Sequence, residues 1–332
     1  MTVAAVERSR PRDLGLPLAI ARKILGAVAV LFVVSLIVFS LQYFAPGSVE
    51  RTVLGGRSAT PEAIAAVRAE YNLDEPFAVQ YLLWLKGAVV LDLGSSIQTS
   101  QPVLEEIRSR LGVTVPLALM AFFATMFIGV PLGVISGYRA RSKLDRTIVV
   151  SSVAAISAPV FATGILLLYL FAVAIPVFPP FGRGEGIADR AMHLALPAVA
   201  LALSAIAFVV KLTRSATIEV IDQDFVTFAR ARGVSGRRIS RQYVLRSALV
   251  SITTAAGLVL GSMLAGTVIV EVTFALPGIG SMLVEAVNGK DIPVVQGVAV
   301  TVAFLIVLVN LVTDLLYLLI DPRIRIRDSG GQ

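Results

Sequence analysis

Residues Asp224–Leu249 read DFVTFARARGVSGRRISRQYVLRSAL, a basic, glycine-broken stretch between two apolar runs of membrane length. The flanking runs end near Val210 and resume near Leu249, and residues 211–248 carry eight of the chain's 29 Lys and Arg. Connections between packed helices are usually short, so a loop of this size and charge calls for a partner on the positive side of a membrane. Ile218, Ile221, Phe225 and Phe228 recur at spacings of three, four and three, which predicts one helix face. Asp222, Asp224 and Arg230 fall elsewhere around the barrel. Gly233 follows as a residue able to adopt the left-handed conformation of a helix C-terminus. Ser235 and Gly236 turn the chain toward a second basic helix, predicted from Arg237 to Arg246. The apolar stripe has two possible covers: the cleft of a soluble partner, or the lipid surface.

Composition demands the same membrane. Hydrophobic residues make up 56% of the chain and charged residues 15%, against roughly 25% charged in soluble domains. A hydrocarbon layer about 30 Å thick needs apolar windows of about 18 residues or more. Six charge-free windows qualify: Lys23 to Glu50, Arg110 to Arg139, Arg146 to Arg183, Arg190 to Lys211, Arg246 to Glu271, and Asp291 to Asp314. They predict helices near 24–44, 114–137, 148–172, 194–212, 249–271 and 295–319.

Positive charge sets the orientation. With both ends inside, the inner segments hold twenty Lys and Arg and the outer segments nine, six of these in one long loop. The cytoplasmic parts are then residues 1–23, the short 138–147 connection, the 213–248 loop and the 320–332 tail. The net charge of +7 reads as anchoring to anionic lipid, with no nucleic-acid partner expected. The first apolar run follows Arg8, Arg10, Arg12, Arg22 and Lys23 but is about 20 residues long, beyond a signal peptide's 7–15, and no A-x-A site follows. It is read as an uncleaved span. The chain has no cysteine, so compartment cannot be inferred from thiol chemistry.

Ala45–Val113 is the one long outer segment, expected to fold as a packed extracytoplasmic cap. Thr60 and Pro61 suit the start of a helix containing Ile64 and Val67, and Val79–Leu85 suits a second. Within the spans, Gly129-Val130-Pro131-Leu132-Gly133, Pro159 and Gly164 permit close approach or kinks. Gly257, Gly261 and Gly266 are assigned to one packing seam, with ordinary packing weighed against a flexible gate. His193, the only histidine, sits at a predicted helix boundary. Metal sites need several converging ligands, so neither a metal nor a catalytic residue is expected. No G-x-x-x-x-G-K-[ST] occurs, which leaves no phosphate-cradling loop on this chain.

The loop also resembles the cytoplasmic coupling loop of ABC importer permeases, whose pattern is Glu-Ala-Ala, three residues, Gly, nine residues, Ile-x-Leu-Pro. Thr227-Phe228-Ala229, Gly233 and Tyr243-Val244-Leu245-Arg246 keep its second Ala, Gly and Leu; the Glu, first Ala, Ile and Pro are replaced. The Ala229-Arg230-Ala231 core behind Asp224-Phe225 is similar to the dipeptide/oligopeptide branch. Further resemblance runs from about residue 18 to 327. It includes Ala45-Pro46-Gly47, Leu73-Asp74-Glu75-Pro76, Asp92-Leu93-Gly94-Ser95-Ser96, Glu271-Val272-Thr273-Phe274 with Pro277-Gly278-Ile279-Gly280, and Asp321-Pro322-Arg323.

The resemblance implies an all-α integral membrane protein of six spans with the type I ABC importer permease fold. The extracytoplasmic insertion follows helix 1, and residues 114–319 form the importer core. It implies a permease in a bacterial inner membrane, forming half a translocation pathway with a second homologous permease. An extracytoplasmic solute-binding protein would deliver solute, and two ATPase subunits, holding ATP and Mg, would drive transport through the coupling loop. Asp224, Phe225, Phe228, Ala229, Arg230, Ala231 and Gly233 are its expected residues, with Ala229 lying against the ATPase; the substrate-contacting residues are unknown. Dipeptides or oligopeptides are the expected solutes, with nickel, glutathione or a glycoside as alternatives. An ion-coupled secondary transporter would need ionisable groups at mid-membrane, and the six windows lack them. A membrane scaffold predicts no dependence of solute uptake on this gene.

Overall fold

The computed structural model describes residues 15–44, 60–70 and 72–320. Ala45–Gly47, Asp321–Arg323 and most of the two terminal segments expected to be cytoplasmic lie outside them. The described chain runs α1 (Gly15–Phe44), α2 (Pro61–Glu70), α3 (Phe77–Val89), α4 (Val103–Tyr138), α5 (Lys143–Ser157) and α6 (Val160–Leu168), which continues as a π-helical turn. There follow α7 (Gly186–Ile221), α8 (Asp224–Ala231), α9 (Gly236–Ile239), α10 (Leu245–Thr273), α11 (Ile279–Asn288) and α12 (Ile292–Ile320). Helices α1, α4, α7, α10 and α12 are each long and apolar enough to cross a membrane; α5 and α6 together make a sixth span if the bent pair counts as one.

That bent pair corrects the straight helix expected over 148–172. The axis turns by 93° between Lys143–Ser157 and Val160–Ala174. Pro159 is the cause: proline lacks an N–H, and Ala158 before it is pushed into extended backbone (φ −84°, ψ 132°). The other spans outrun their predicted windows. Helix α4 begins at Val103, eleven residues before the expected start at 114, with Glu105 and Glu106 in its first turn. Charge marks where a helix leaves hydrocarbon, not where its hydrogen bonds stop. His193 accordingly lies inside α7, its Nδ1 2.9 Å from the Asp189 carbonyl oxygen.

Helix α7 is the centre of the bundle, with 61% of its apolar window buried. Its closest neighbour is α4. A Cβ on Gly129, Gly133 or Gly137 would stand 2.9, 2.6 or 2.6 Å from Val209, Thr213 or Thr217 of α7. Small residues four apart thus let two backbones meet. Of the seam expected on α10, Gly257 packs on Thr313 of α12, Gly266 faces Leu201 of α7, and nothing lies within 4 Å of Gly261. The three glycines do not form one seam, because spacings of four and five rotate them toward different neighbours.

Between α1 and α4 the described residues form two short helices. Thr60 Oγ1 accepts from Ala63 N at 3.3 Å, an N-cap for α2. Helix α3 lies along α1 through an aromatic cluster, Phe39 contacting Phe77, Tyr81 and Trp84 with ring centroids 5.5–5.6 Å apart. The following loop is tied to α12 by the buried Asp291, whose Oδ2 accepts from Ser96 Oγ at 2.6 Å and Gln98 N at 3.1 Å.

Candidate functional site

The loop quoted at the outset folds into α8 and a helical run into α10. The stripe predicted through Ile218, Ile221, Phe225 and Phe228 is broken: α7 stops at Ile221, and α8 starts afresh after Asp222 and Gln223. Gln223, at φ −74° and ψ 144°, leaves helical space there. Helix α8 turns Val226 and Ala229 inward, 0% and 7% exposed. They pack on Ile239 and Val244, with Tyr138, Val234 and Tyr243 around them. The expectation that Ala229 lies against a partner is therefore corrected; its small side chain lets α8 seat on its own protein. Val226, absent from the expected set, is the residue that seats it deepest.

The outward face differs. Asp224, Phe225, Phe228, Arg230 and Ala231 are exposed, Phe228 by 70% and Phe225 by 44%. Phe225 leans on Tyr243 with centroids 6.0 Å apart, which fixes one end of this aromatic ridge. The helix stops as its sequence predicts. Gly233 has φ +75°; its N–H donates to the Arg230 carbonyl at 2.9 Å, and Val234 N–H to the Ala229 carbonyl at 3.1 Å. That pair of bonds is the Schellman closure, and Val234 makes its apolar contact with the same cluster as Ala229. No separate second helix spans Arg237–Arg246. The turn α9 runs through a π-helical stretch, Ser240–Val244, directly into α10.

Three features hold this platform rigid. Arg214 of α7 grips Asp145 of α5 with two bonds, Nε to Oδ1 at 2.7 Å and a terminal nitrogen to Oδ2 at 2.8 Å. Ser136 Oγ of α4 and the Arg141 backbone N–H also donate to that carboxylate. A planar guanidinium on a carboxylate, with its remaining lone pairs satisfied, fixes three helix ends at once. The glycine seam continues this join up α4 and α7. Lys23 of α1 bonds Asp314 of α12 at 2.6 Å, and Gly257, in the N-terminal half of α10, packs on Thr313. The start of α1, the end of α12 and the segment carrying α8 therefore share one end of the bundle.

The opposite end holds a feature that charge counting missed. Glu271, taken as the edge of a charge-free window, is 0% exposed. Its carboxylate accepts from Thr114 Oγ1 at 2.6 Å and from the Gly280 and Ser281 N–H groups at 2.7 and 3.1 Å. It caps α11, and a Cβ on Gly278 would collide with it. The signal was present as Glu271 followed by Pro277-Gly278-Ile279-Gly280: a carboxylate, a turn and a helix start.

Along the bundle, an apolar groove of about 500 Å³ opens between α7 and α10, lined by Leu201, Ser204, Phe208, Leu258, Ser262 and Met263. Among the described residues no group of three or more His, Asp or Glu is placed to hold a metal. His193 is covered by the Gly182–Gly184 turn, Gly182 lying 3.7 Å from its ring when given a Cβ.

The chain belongs to the family described as binding-protein-dependent transport system inner membrane component, whose model matches residues 129–326. The model of that family's N-terminal part matches residues 18–118. A putative peptide transport system permease protein of Brucella abortus (strain 2308) is 37% identical over 310 residues, covering 92% of this chain and 98% of its own length. The dipeptide transport system permease protein of Alkalihalophilus pseudofirmus is 33% identical over 327 residues, with coverage of 92% and 98%. The probable D,D-dipeptide transport system permease protein of Escherichia coli K12 is 36% identical over 323 residues, covering 90% and 95%. Among solved structures, an inward-facing MetNI methionine ABC transporter aligns with a TM-score of 0.58 at 19% identity, covering 67% of this chain and 100% of that one. The chain is thus an integral membrane ABC importer permease and not itself an enzyme; it has the type I permease fold.

Proposed function

We propose that this permease carries dipeptides or oligopeptides inward across a bacterial inner membrane, both termini cytoplasmic. It forms half of a translocation pathway with a second permease. An extracytoplasmic solute-binding protein delivers the solute, and two ATPase subunits, which hold the ATP and Mg, engage the loop built on α8. The observation that carries this reading is the division of α8 into two faces. Val226 and Ala229 lock it to the permease, while Phe225 and Phe228 stand in solvent. An exposed aromatic pair on a rigid helix is the usual anchor of a protein interface. Seated on α9, the π-helical stretch that leads into α10, and the end of α4, the helix passes a push from below into the spans. The peptide assignment rests on the relatives' names and their near-complete overlap with this chain.

Purifying the assembled transporter and identifying its retained solute by mass spectrometry tests the substrate. A di- or oligopeptide joined by ordinary α-peptide bonds supports the proposal, and a metal, the γ-linked tripeptide glutathione or a sugar overturns it. Uptake should also persist when proton and sodium gradients are collapsed with ATP maintained; its loss would point to ion coupling.

A further inference from the structure

The segment expected to be a soluble cap contains a helix with no polar side to give to water. Helix α3 has the sequence FAVQYLLWLKGAV, in which Lys86 is the only charged residue. One face is taken. Tyr81 contacts Phe32 of α1 with centroids 6.0 Å apart, and its hydroxyl lies 2.9 Å from Ser35 Oγ. Phe77 contacts Tyr43 at 5.4 Å. Gln80 is buried, accepting from Tyr43 O–H at 2.8 Å and donating to the Glu75 carbonyl at 2.8 Å. The opposite face carries Val79, Leu82 and Val89, 38%, 61% and 75% exposed, and continues into Val90 and Leu91, 70% and 56% exposed.

Depth decides what covers that face. The crossing part of α1 is Ile20–Tyr43, so Phe32 and Ser35 sit about 12–16 Å inward from Tyr43 at 1.5 Å per residue. A helix clamped to that half of a span lies below the water boundary or at it. The exposed Ile37 and Leu41 of α1, 57% and 49%, extend the same apolar surface. We infer that α3 is a membrane-interface helix whose Val79–Leu82–Val89 face is immersed in the acyl chains of the leaflet at the C-terminal end of α1. Lys86 lies on the exposed side, where its stem reaches the headgroups. The inference rests on the chain crossing a membrane and is independent of what is transported.

Trp84 is the chain's only tryptophan, and it sits on α3. In the full-length permease in lipid nanodiscs, its emission should fall at least about twofold when the lipids carry bromine high in their acyl chains, the depth of an interfacial helix. Bromine near the chain ends should act less. The chain has no cysteine, so Leu82→Cys and Gln101→Cys each give this subunit a single thiol, whose labelling in the purified, assembled transporter is read on the permease's own gel band. Gln101→Cys should react with a charged maleimide and Leu82→Cys should resist it. A bimane attached through a membrane-soluble reagent at Leu82→Cys should be dimmed by the brominated lipid. Reaction of Leu82→Cys at the Gln101→Cys rate would place the face in water. Protection without dimming of either bimane or Trp84 would place it beneath another protein. Either result overturns the proposal.

Discussion

Phe228 and Ala229 are neighbours in sequence with opposite surroundings, one 70% and the other 7% exposed. The difference predicts separable phenotypes. Phe228→Ala should leave membrane abundance unchanged and weaken ATPase association more than about tenfold, the scale of an interface anchor. Ala229→Glu puts a charge among Val226, Ile239 and Val244 at a cost of several kcal/mol; it should unseat α8 and lower thermal stability as well. Gly233→Val meets no steric neighbour within 4 Å, so its cost is conformational alone, roughly 1–2 kcal/mol. Solute-stimulated ATPase activity beside a melting curve for each variant separates the three; equal stability of Phe228→Ala and Ala229→Glu would contradict the two-faced helix. Glu271 supplies a second residue-scale expectation. Glu271→Ala strands the Thr114, Gly280 and Ser281 donors, roughly 3 kcal/mol or more for buried unsatisfied groups. Glu271→Gln keeps an acceptor and should lose distinctly less, as judged by the same melting assay. Equal losses would mean that the hydrogen bonds are not what Glu271 contributes.

At the scale of elements, the α4–α7 seam is a join with little room along three successive turns of helix. Gly133→Val would set a branched side chain against Thr213 and the Val210 carbonyl, 2.6 and 2.9 Å from the new Cβ. Helix α7 is itself buried and cannot retreat, so overpacking should cost about 1–3 kcal/mol and reduce both melting temperature and uptake. Gly261→Ala, with open space beside it, should be near neutral. Gly137 belongs to this seam with Gly129 and Gly133, yet only two of the three stood out in the sequence, because the GVPLG cluster draws attention and a lone glycine four residues later does not. Pro159 was visible as a kink residue; the 93° turn it starts was not, since a proline in a span can bend a helix slightly or break it. Neighbours choose between those outcomes.

Across the whole molecule, the positive-inside count predicts which end meets the cytosol. In intact cells an impermeant thiol reagent should modify Gln101→Cys and not Ser235→Cys, both exposed positions; the reverse pattern would invert the molecule. The sequence by itself determined that this chain is a helical membrane protein, how many spans its apolar windows supply, and where a capped basic loop interrupts them. Those are properties of local composition and period, which are written residue by residue. Gly233 illustrates this: its left-handed turn follows from lacking a Cβ. Which face of α8 seats on the permease, which glycines touch, and that Glu271 is a buried cap were decided only by tertiary structure. Val226, Phe225 and Phe228 are all apolar, so periodicity could not rank them; the break at Asp222–Gln223 and the position of Ile239 and Val244 did. For α3, apolar apart from Gln80 and Lys86, packing on α1 chose the inner face and left the other open.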